Sequence, residues 1–417
     1  MQHPTLSDLF RVFVRIGLLS FGGPAAQISL MHTELVDRHK WLNEQQFLGA
    51  LSFCMLLPGP EAMQLATYAG WRLHGVRGGL LAGLLFVLPG ALVILGLALG
   101  YAYFGDLPLV QALFVGVQAA VIAIVFQALL NLSRKALKGW DSWALALLGF
   151  IAIFALSVPF PAIIAAAALW GSFAAPRNTD TSATARATRT PITGTLRTIG
   201  IWGALWLAPL LILWAMDADF LAQIGLFFSK LAVVTFGGAY AVLAYMTQAA
   251  VETHGWLTTE QMIDALGLAE TTPGPLILVT EFVGLLAGFQ QGGVMLALAA
   301  GLLTLWVTFM PCFLWIFAGA PYVENILARP RLKGALAAIS AAVVGVILNL
   351  SVWFALHVLF AEVGQGAFGP LPDLSSFRAL NASFVALACG LFLLLRLPML
   401  TVLALMAMAA GIAHFFA

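Results

Sequence analysis

Polar residues are sparse along this chain, and they gather between apolar stretches long enough to cross a bilayer. A spanning helix needs about 20 predominantly apolar residues. Such runs lie near 7–37, 44–73, 78–104, 108–133, 141–157 and 159–175, and again near 220–250, 260–288, 292–318, 333–360, 379–396 and 398–416. One more, near 198–216, stands between the two sets. The pattern predicts an all-α polytopic membrane protein of about thirteen membrane elements. The period-two alternation of barrel strands is missing. Composition points the same way: 62% of residues are hydrophobic and 9% charged, against about 25% charged in soluble domains. The first run carries Arg11 and Arg15, so it does not read as a cleavable signal peptide.

The two sets of runs match each other. At an offset of 215, Phe21-Gly22-Gly23 falls on Phe236-Gly237-Gly238, His39 on His254, Trp41-Leu42 on Trp256-Leu257, and Pro58-Gly59-Pro60 on Pro273-Gly274-Pro275. Arg15 falls on Lys230, Ser20 on Thr235 and Gln46 on Gln261. Farther on the offset is 222, pairing Pro89 with Pro311, Pro108 with Pro330 and Ala119-Ala120-Val121 with Ala341-Ala342-Val343. The chain therefore divides into a first repeat, 1–175; a polar Thr- and Arg-rich linker, 176–197; an extra connecting helix, 198–216; and a second repeat, 217–417.

Lys and Arg in short loops set orientation. Arg72 and Arg77, then Arg134, Lys135 and Lys138, then the linker with Arg177, Arg186, Arg189 and Arg197, mark cytoplasmic segments of the first half. The loops at Asp106 and at Val158-Pro159 carry no basic residue. In the second half the bias is reversed. Arg329, Arg331 and Lys333 occupy the counterpart of the bare loop at 105–108, Arg396 occupies that of the bare loop near Pro159, and the loop at 290–293 has no charge. The expectation is two inverted-topology repeats, an arrangement of secondary transporters. The extra helix supplies the flip. The amino terminus is then cytoplasmic and the carboxyl terminus periplasmic, in an inner membrane.

Candidate chemistry concentrates where the first two segments of each half are interrupted. Gly22-Gly23-Pro24 and Pro58-Gly59-Pro60 break apolar runs near their middles. Proline removes a donor and clashes with the carbonyl one turn back, and glycine loosens the backbone further. In lipid the freed groups must face protein, water or a ligand. Pro24, Pro60 and Pro275 suit the first turn of new half-helices, whose N–H groups and positive dipole ends attract anions. Arg11, Arg38, Lys40 and Arg72 all favour the cytoplasmic side, so the segments 7–37 and 44–73 are expected to be re-entrant hairpins turning at their breaks. The plainer alternative is a kink that only shapes packing.

Arg15 and Lys230 are symmetry mates inside apolar segments. A charge there is functional, paired, or snorkelling to an interface. Ser20 and Thr235 add hydroxyls five residues onward. Together these groups suit a small tetrahedral oxyanion. The first half would contribute Arg15, Ser20, Gly22, Gly23, Pro24, Gln27, Pro58, Gly59 and Pro60. The second would contribute Lys230, Thr235, Gly237, Gly238, Thr272, Pro273, Gly274 and Pro275.

Acidic residues break the symmetry: Glu61 aligns with Leu276, Glu270 with Met55 and Glu281 with Ala66. A carboxylate near an anion site repels it unless protonated, and burial favours the protonated form. Glu61, Glu270 and Glu281 are therefore candidates to carry a coupled proton, pairing with arginine or capping a helix end being the alternative. His39 and His254 precede Trp41 and Trp256, which read as interface anchors. Cys54, Cys312 and Cys389 lie far apart in apolar runs and suggest neither a disulfide nor a metal cluster. No Walker loop, His-Glu-x-x-His, Gly-x-Ser-x-Gly or Cys-x-x-Cys occurs. No enzyme activity, ATP-driven pumping, cofactor or metal is expected, and a net charge of +1 gives nucleic acid no footing.

The run Arg15-Ile-Gly-Leu-Leu-Ser-Phe-Gly-Gly-Pro-Ala-Ala-Gln27 resembles the opening motif of the chromate ion transporter family, in its two-domain, long-chain form. So do Trp41-Leu-Asn-Glu-Gln-Gln-Phe47, Leu57-Pro-Gly-Pro-Glu61, Gly78-Gly79 and Pro89-Gly90. The second half repeats the pattern with Thr235-Phe-Gly-Gly, Gly255-Trp-Leu-Thr and Thr272-Pro-Gly-Pro. Ala239 departs from it, standing where the first half has Pro24. The resemblance covers nearly the whole chain except linker and tail. It implies secondary active export of chromate from the cytoplasm and hence chromate resistance. Sulfate, an isosteric dianion, is the implied competitor, or the substrate of a transporter with the same fold. The bilayer is the medium, and a homodimer stays open. A membrane-embedded enzyme would need a paired nucleophile and base at depth, and a scaffold would leave the broken helices without purpose.

Overall fold

The computed structural model describes residues 4–174, 192–236, 239–327, 329–366 and 369–416. Among them the regular structure is helical apart from one short hairpin. The first half forms α1 (Leu6–Leu19), α2 (Gly23–His32), α3 (Glu44–Cys54), α4 (Glu61–Phe104), α5 (Pro108–Ala136), α6 (Trp140–Phe154) and α7 (Phe160–Ala174). Then come α8 (Ile192–Ala215), α9 (Asp219–Val234), α10 (Ala239–Gln248), α11 (Thr259–Glu270), α12 (Val279–Gly319), α13 (Val323–Leu327), α14 (Pro330–Leu359), α15 (Ala379–Cys389) and α16 (Met399–Phe416). A π-helical turn follows α2 at Thr33–Arg38, and another follows α10 at Ala249–Thr253. The linker expected at 176–197 lies outside the described residues as far as 191, and from Ile192 the chain is already α8.

Among the described residues six helices are long and apolar enough to cross a membrane: Glu61–Phe104, Pro108–Ala136, Thr193–Ala215, Leu276–Tyr322, Pro330–Leu359 and Met399–Phe416. Shorter apolar helices cover Trp140–Phe154, Phe160–Ala174 and Ala379–Leu394. Large apolar side chains such as Leu92, Trp140, Phe173, Leu211, Trp214, Leu302 and Phe416 stand exposed on them. That suits a lipid surround and would be costly in water.

α4 and α12 are each two arms rather than one rod. In α4 the helical angles fail at His74 (φ −138°, ψ 28°) and Gly75 (φ 59°, ψ −151°). The left-handed φ at the turn favours glycine. The arms fold back so closely that a Cβ at Gly70 would overlap the carbonyl of Gly78, and one at Gly83 would overlap the Thr67 hydroxyl. α12 reverses in the same way at Gly292 (φ −162°, ψ 24°) and Gly293 (φ 73°, ψ −164°), bringing Gly301 onto Leu285.

The helices gather into two compact units, each drawing on both halves of the sequence. The first comprises Met1–Ala98, Ala174–Ala239 and Thr272–Lys333. Here α12 packs against α8 and α9. Trp306 Nε1 donates to the Leu205 carbonyl at 2.9 Å, and Trp206 Nε1 to Ser229 Oγ at 3.2 Å, so indole N–H groups tie α8 to its neighbours. The second unit comprises Leu99–Phe173, Tyr240–Thr271 and Gly334–Ala417. In it α5 packs against α11, α15 and α16, with Ala119, Ala120 and Ala123 set among Val402, Leu403 and Met406. The second unit also holds an antiparallel hairpin, β1 (Val363–Gly366) and β2 (Gly369–Pro372), with Val363 opposite Pro372 and Gly366 opposite Gly369. The apolar pattern gave no sign of this insertion.

Candidate functional site

α1 stops at Leu19, and the chain turns through Ser20, Phe21 and Gly22 (φ 88°) before α2 begins at Gly23 (φ 79°) with Pro24 in its first turn. The Ser20 hydroxyl donates to the Ile16 carbonyl at 2.5 Å. At the end of α9 the Thr235 hydroxyl does the same to Leu231 at 2.6 Å. Both hydroxyl protons thus cap carbonyls of their own broken helix, a local bond typical of Ser and Thr. Gly237 and Gly238 lie outside the described residues.

The segments 7–37 and 44–73 both leave helix at their expected breaks and turn back. Arg15 Nε lies 3.5 Å from Glu34 Oε1, which joins the arms on either side of the first break. Gln46 and Ala50 of α3 line one cavity with Tyr68, Trp71 and Arg72 from the far side of Pro58-Gly59-Pro60.

The breaks of the two halves then bond to each other inside the first unit. The Gly59 N–H donates to the Thr235 carbonyl, and the Gly274 N–H to the Ser20 carbonyl, both at 2.8 Å. Donors and acceptors are each separated by the 215 positions that align the sequence with itself. The chemistry explains the motif. A helix end leaves carbonyls without partners, and lipid supplies none. In Pro-Gly-Pro the prolines have no N–H, so the glycine is the only donor each turn offers. Gly59 (φ 119°) and Gly274 (φ 88°) both take left-handed angles. A Cβ on Gly59 would sit 2.8 Å from Cys312 Sγ and 2.9 Å from Gln64 Nε2. On the other side Gly90 lies against the Pro273 carbonyl, where a Cβ would overlap it.

Two buried amides reinforce this frame. Gln27 Nε2 donates to the Gly274 carbonyl at 2.6 Å and reaches the Ser20 carbonyl at 3.4 Å. Gln64 Nε2 donates to the Pro58 carbonyl at 2.7 Å. Their counterparts in the second half are Val242 and Val279. The first turn of α2 carries no side-chain cap, and Ala25 and Ala26 are exposed there. That helix end therefore presents open N–H groups beside the crossed breaks.

The sequence profile of the chromate transporter family matches residues 7–172 and 222–413, a span that takes in the breaks of both halves. The chain belongs to the chromate transporter family. A chromate transport protein of Cupriavidus metallidurans is 29% identical over 404 residues, 95% of this chain and 94% of that protein. One of Pseudomonas aeruginosa is 33% identical over 408 residues, 94% of this chain and 92% of its own. An uncharacterized transporter of Bacillus subtilis is 32% identical over 155 residues, 37% of this chain and 78% of its own. No solved structure matches the chain.

In this member of the family the expected site residues fall into two groups. Ser20, Gln27, Pro58, Gly59, Thr235, Pro273 and Gly274 converge on the crossed breaks, with Gly22, Gly23 and Pro24 opening α2 beside them. Pro60 leads into α4 and Pro275 into α12, while Thr272 is buried ahead of the second turn. Arg15 lies on Glu34, a buried carboxylate that Arg38 holds more closely, at 2.7 Å. Lys230 is exposed on α9.

The carboxylates differ sharply. Glu281, in the first turn of α12, is 3% exposed, and its Oε2 has no hydrogen-bond partner. Glu270, in the second unit, accepts from the Tyr240 hydroxyl at 2.7 Å. Glu61 is half-buried at the start of α4. Sequence reasoning passed over three residues. Asp264 is buried in the second unit and accepts from Tyr101 Oη and Gln118 Nε2, both at 2.8 Å. Its signal was an acid inside the apolar run 260–288, aligned with Gly49. Gln64 was legible as an amide one turn beyond Pro60, and Glu34 as an acid near the end of the first run.

Proposed function

We propose that the chain is a secondary active transporter exporting chromate from the cytoplasm, built of two inverted-topology repeats whose helix breaks jointly form the anion site. The observation that carries this reading is the reciprocal pair of hydrogen bonds, Gly59 to Thr235 and Gly274 to Ser20. An exchange in which each half caps the broken helix of the other is what a two-fold relation between repeats would generate. Relatives described as chromate transport proteins, aligned over nearly their whole length, support the substrate. The Bacillus subtilis transporter, for which a match of 155 residues is 78% of the protein, supports the half as a unit.

The anion would rest against the open N–H groups of α2 and the start of α4, where helix dipoles favour negative charge. Arg15 adds charge by exchanging Glu34, which Arg38 continues to hold, for the anion. Lys230 contributes from the second half. Glu281 takes up the coupled proton, since it is a buried carboxyl with an oxygen left unpartnered. Glu61 and Glu270 are further candidates for that role. The amino terminus lies in the cytoplasm and the carboxyl terminus in the periplasm.

Flux of radiolabelled chromate and sulfate into inverted vesicles, with and without a proton gradient, tests the reading. Chromate should accumulate, and the gradient should govern the extent. Glu281→Gln should flatten the pH dependence. Arg15→Gln should weaken uptake while leaving the protein folded, and normal uptake by both Arg15→Gln and Lys230→Gln would remove side-chain charge from the site. Uptake of sulfate alone would overturn the substrate. Reporter fusions at Ser182 and Arg331 should report the cytoplasm, and those at Gly105 and the carboxyl end the periplasm.

A further inference from the structure

The second unit holds a cavity of about 200 Å³ lined by Ser157, Thr247, Gln248, Glu252, Asn349 and Trp353 and closed on one side by the β1–β2 hairpin at Gly366, Gly369 and Pro370. Chromate transport as proposed above makes no use of it. Two features mark it as built. Thr247 is 2% exposed, and its hydroxyl has no hydrogen-bond partner, an arrangement that costs stability unless something occupies the space. Glu252 stands at the rim, its carboxylate accepting from Trp353 Nε1 at 3.3 Å.

The donor set selects the ligand class. Among the lining residues Ser157 and Thr247 carry hydroxyls, Gln248 and Asn349 carboxamides and Glu252 a carboxylate, so each of the five can offer an oxygen ligand. No lysine, arginine or histidine is among the described residues that line it. Oxygen ligands suit hard cations. An oxyanion would face the Glu252 charge with no cation to offset it. A divalent ion would keep an uncompensated positive charge beside a single carboxylate, in a site of low dielectric. One carboxylate matches one positive charge. We propose that this cavity binds a monovalent alkali cation, with the Glu252 carboxylate and the Thr247 hydroxyl among its ligands.

Thermal unfolding of the purified full chain in NaCl, KCl or LiCl, against choline chloride at equal ionic strength, tests the proposal. At a hundredfold excess over Kd, an alkali chloride should raise Tm by about 3 °C in a saturable way, and choline should not. Glu252→Gln and Thr247→Val should abolish the difference, while Thr247→Ser, which keeps the hydroxyl, should retain it. Scintillation-proximity binding of radiosodium to the wild-type chain, competed by KCl and LiCl, provides a readout that survives poor folding of any variant. Equal Tm values in alkali and choline salts together with no saturable radiosodium binding would leave only a water-filled cavity and overturn the proposal. So would an undiminished response in folded Glu252→Gln.

Discussion

At the end of α1 the Ser20 carbonyl takes the Gly274 N–H, and at the end of α9 the Thr235 carbonyl takes the Gly59 N–H, at the same 2.8 Å. Around the first of these bonds Gln27 adds an amide, at 2.6 Å to Gly274 and 3.4 Å to Ser20. At the offset of 215 the residue aligned with Gln27 is Val242, which has no amide. Gln64 likewise supports the Pro58 carbonyl, while its counterpart Val279 leaves the second turn without a matching amide. A broken helix in lipid has one obligatory need, partners for its freed carbonyls, and both halves meet it identically with backbone. Side-chain polarity is not shared in this way: the two amides come from the first half, and the orphaned carboxyl of Glu281 comes from the second. The backbone bonds are duplicated and the buried side-chain polarity is not.

The sharpest way to break the comparison is to strike the shared bonds. Gly59→Ala and Gly274→Ala each force a left-handed angle on a residue with a Cβ, a strain of about 1–3 kcal/mol. Gly59→Ala also drives its Cβ to 2.8 Å from Cys312 Sγ, whereas at Gly274 the nearest atom is the end of Leu278 at 3.2 Å. Gly59→Ala should therefore lower Tm and chromate flux more than Gly274→Ala, and adding Cys312→Ala should restore part of the loss. Equal losses with no rescue would mean that strain alone acts.

Next in size come the amides. Gln27→Leu removes a donor from the buried Gly274 carbonyl, and leaving such a group unpaired costs about 1–3 kcal/mol. Thermal unfolding should register that loss, while Val242→Gln should give no matching gain, because the second break is complete without an amide. Smaller still are the hydroxyls. Ser20→Ala and Thr235→Val each delete one bond to the helix's own carbonyl, worth about 0.5–1.5 kcal/mol. The two should fall together in stability and in flux. A far larger flux loss from one of them would show that hydroxyl turning toward substrate. The smallest stability change belongs to Arg15→Gln. The Arg15 side chain is 55% exposed, and Arg38 still holds Glu34. An exposed pair is worth about 0–1 kcal/mol, so Tm should scarcely move even as uptake falls.

Much of this frame was legible in the sequence, because the residues that break a helix are few and their spacing repeats. Gly22-Gly23-Pro24 and Pro58-Gly59-Pro60 foretold where helix would stop, and the basic residues Arg72 and Arg77 bracketed the turn that falls at His74 and Gly75. What remained hidden depends on pairing in three dimensions. No local rule says that the Gly59 N–H meets Thr235 rather than a neighbour, since the partner lies in the other half. The sequence left Arg15 as functional, paired or snorkelling, because its partner, Glu34, sits beyond the break in a stretch of mixed polarity. Asp264 was overlooked because its partners, Tyr101 and Gln118, come from distant parts of the chain. The β1–β2 hairpin was missed because four-residue strands carry too little alternation to register.

The central claim, that the crossed breaks hold the substrate, is tested most directly by anomalous diffraction from crystals grown with chromate and measured at the chromium edge. The account predicts a peak within hydrogen-bonding reach, about 3–4 Å from metal centre to N–H allowing for the intervening oxygen, of the first turn of α2 at Ala25 and Ala26 or of α4 at Ala62. A chromium peak in the second unit, for instance beside Glu252, with none at the breaks would contradict it.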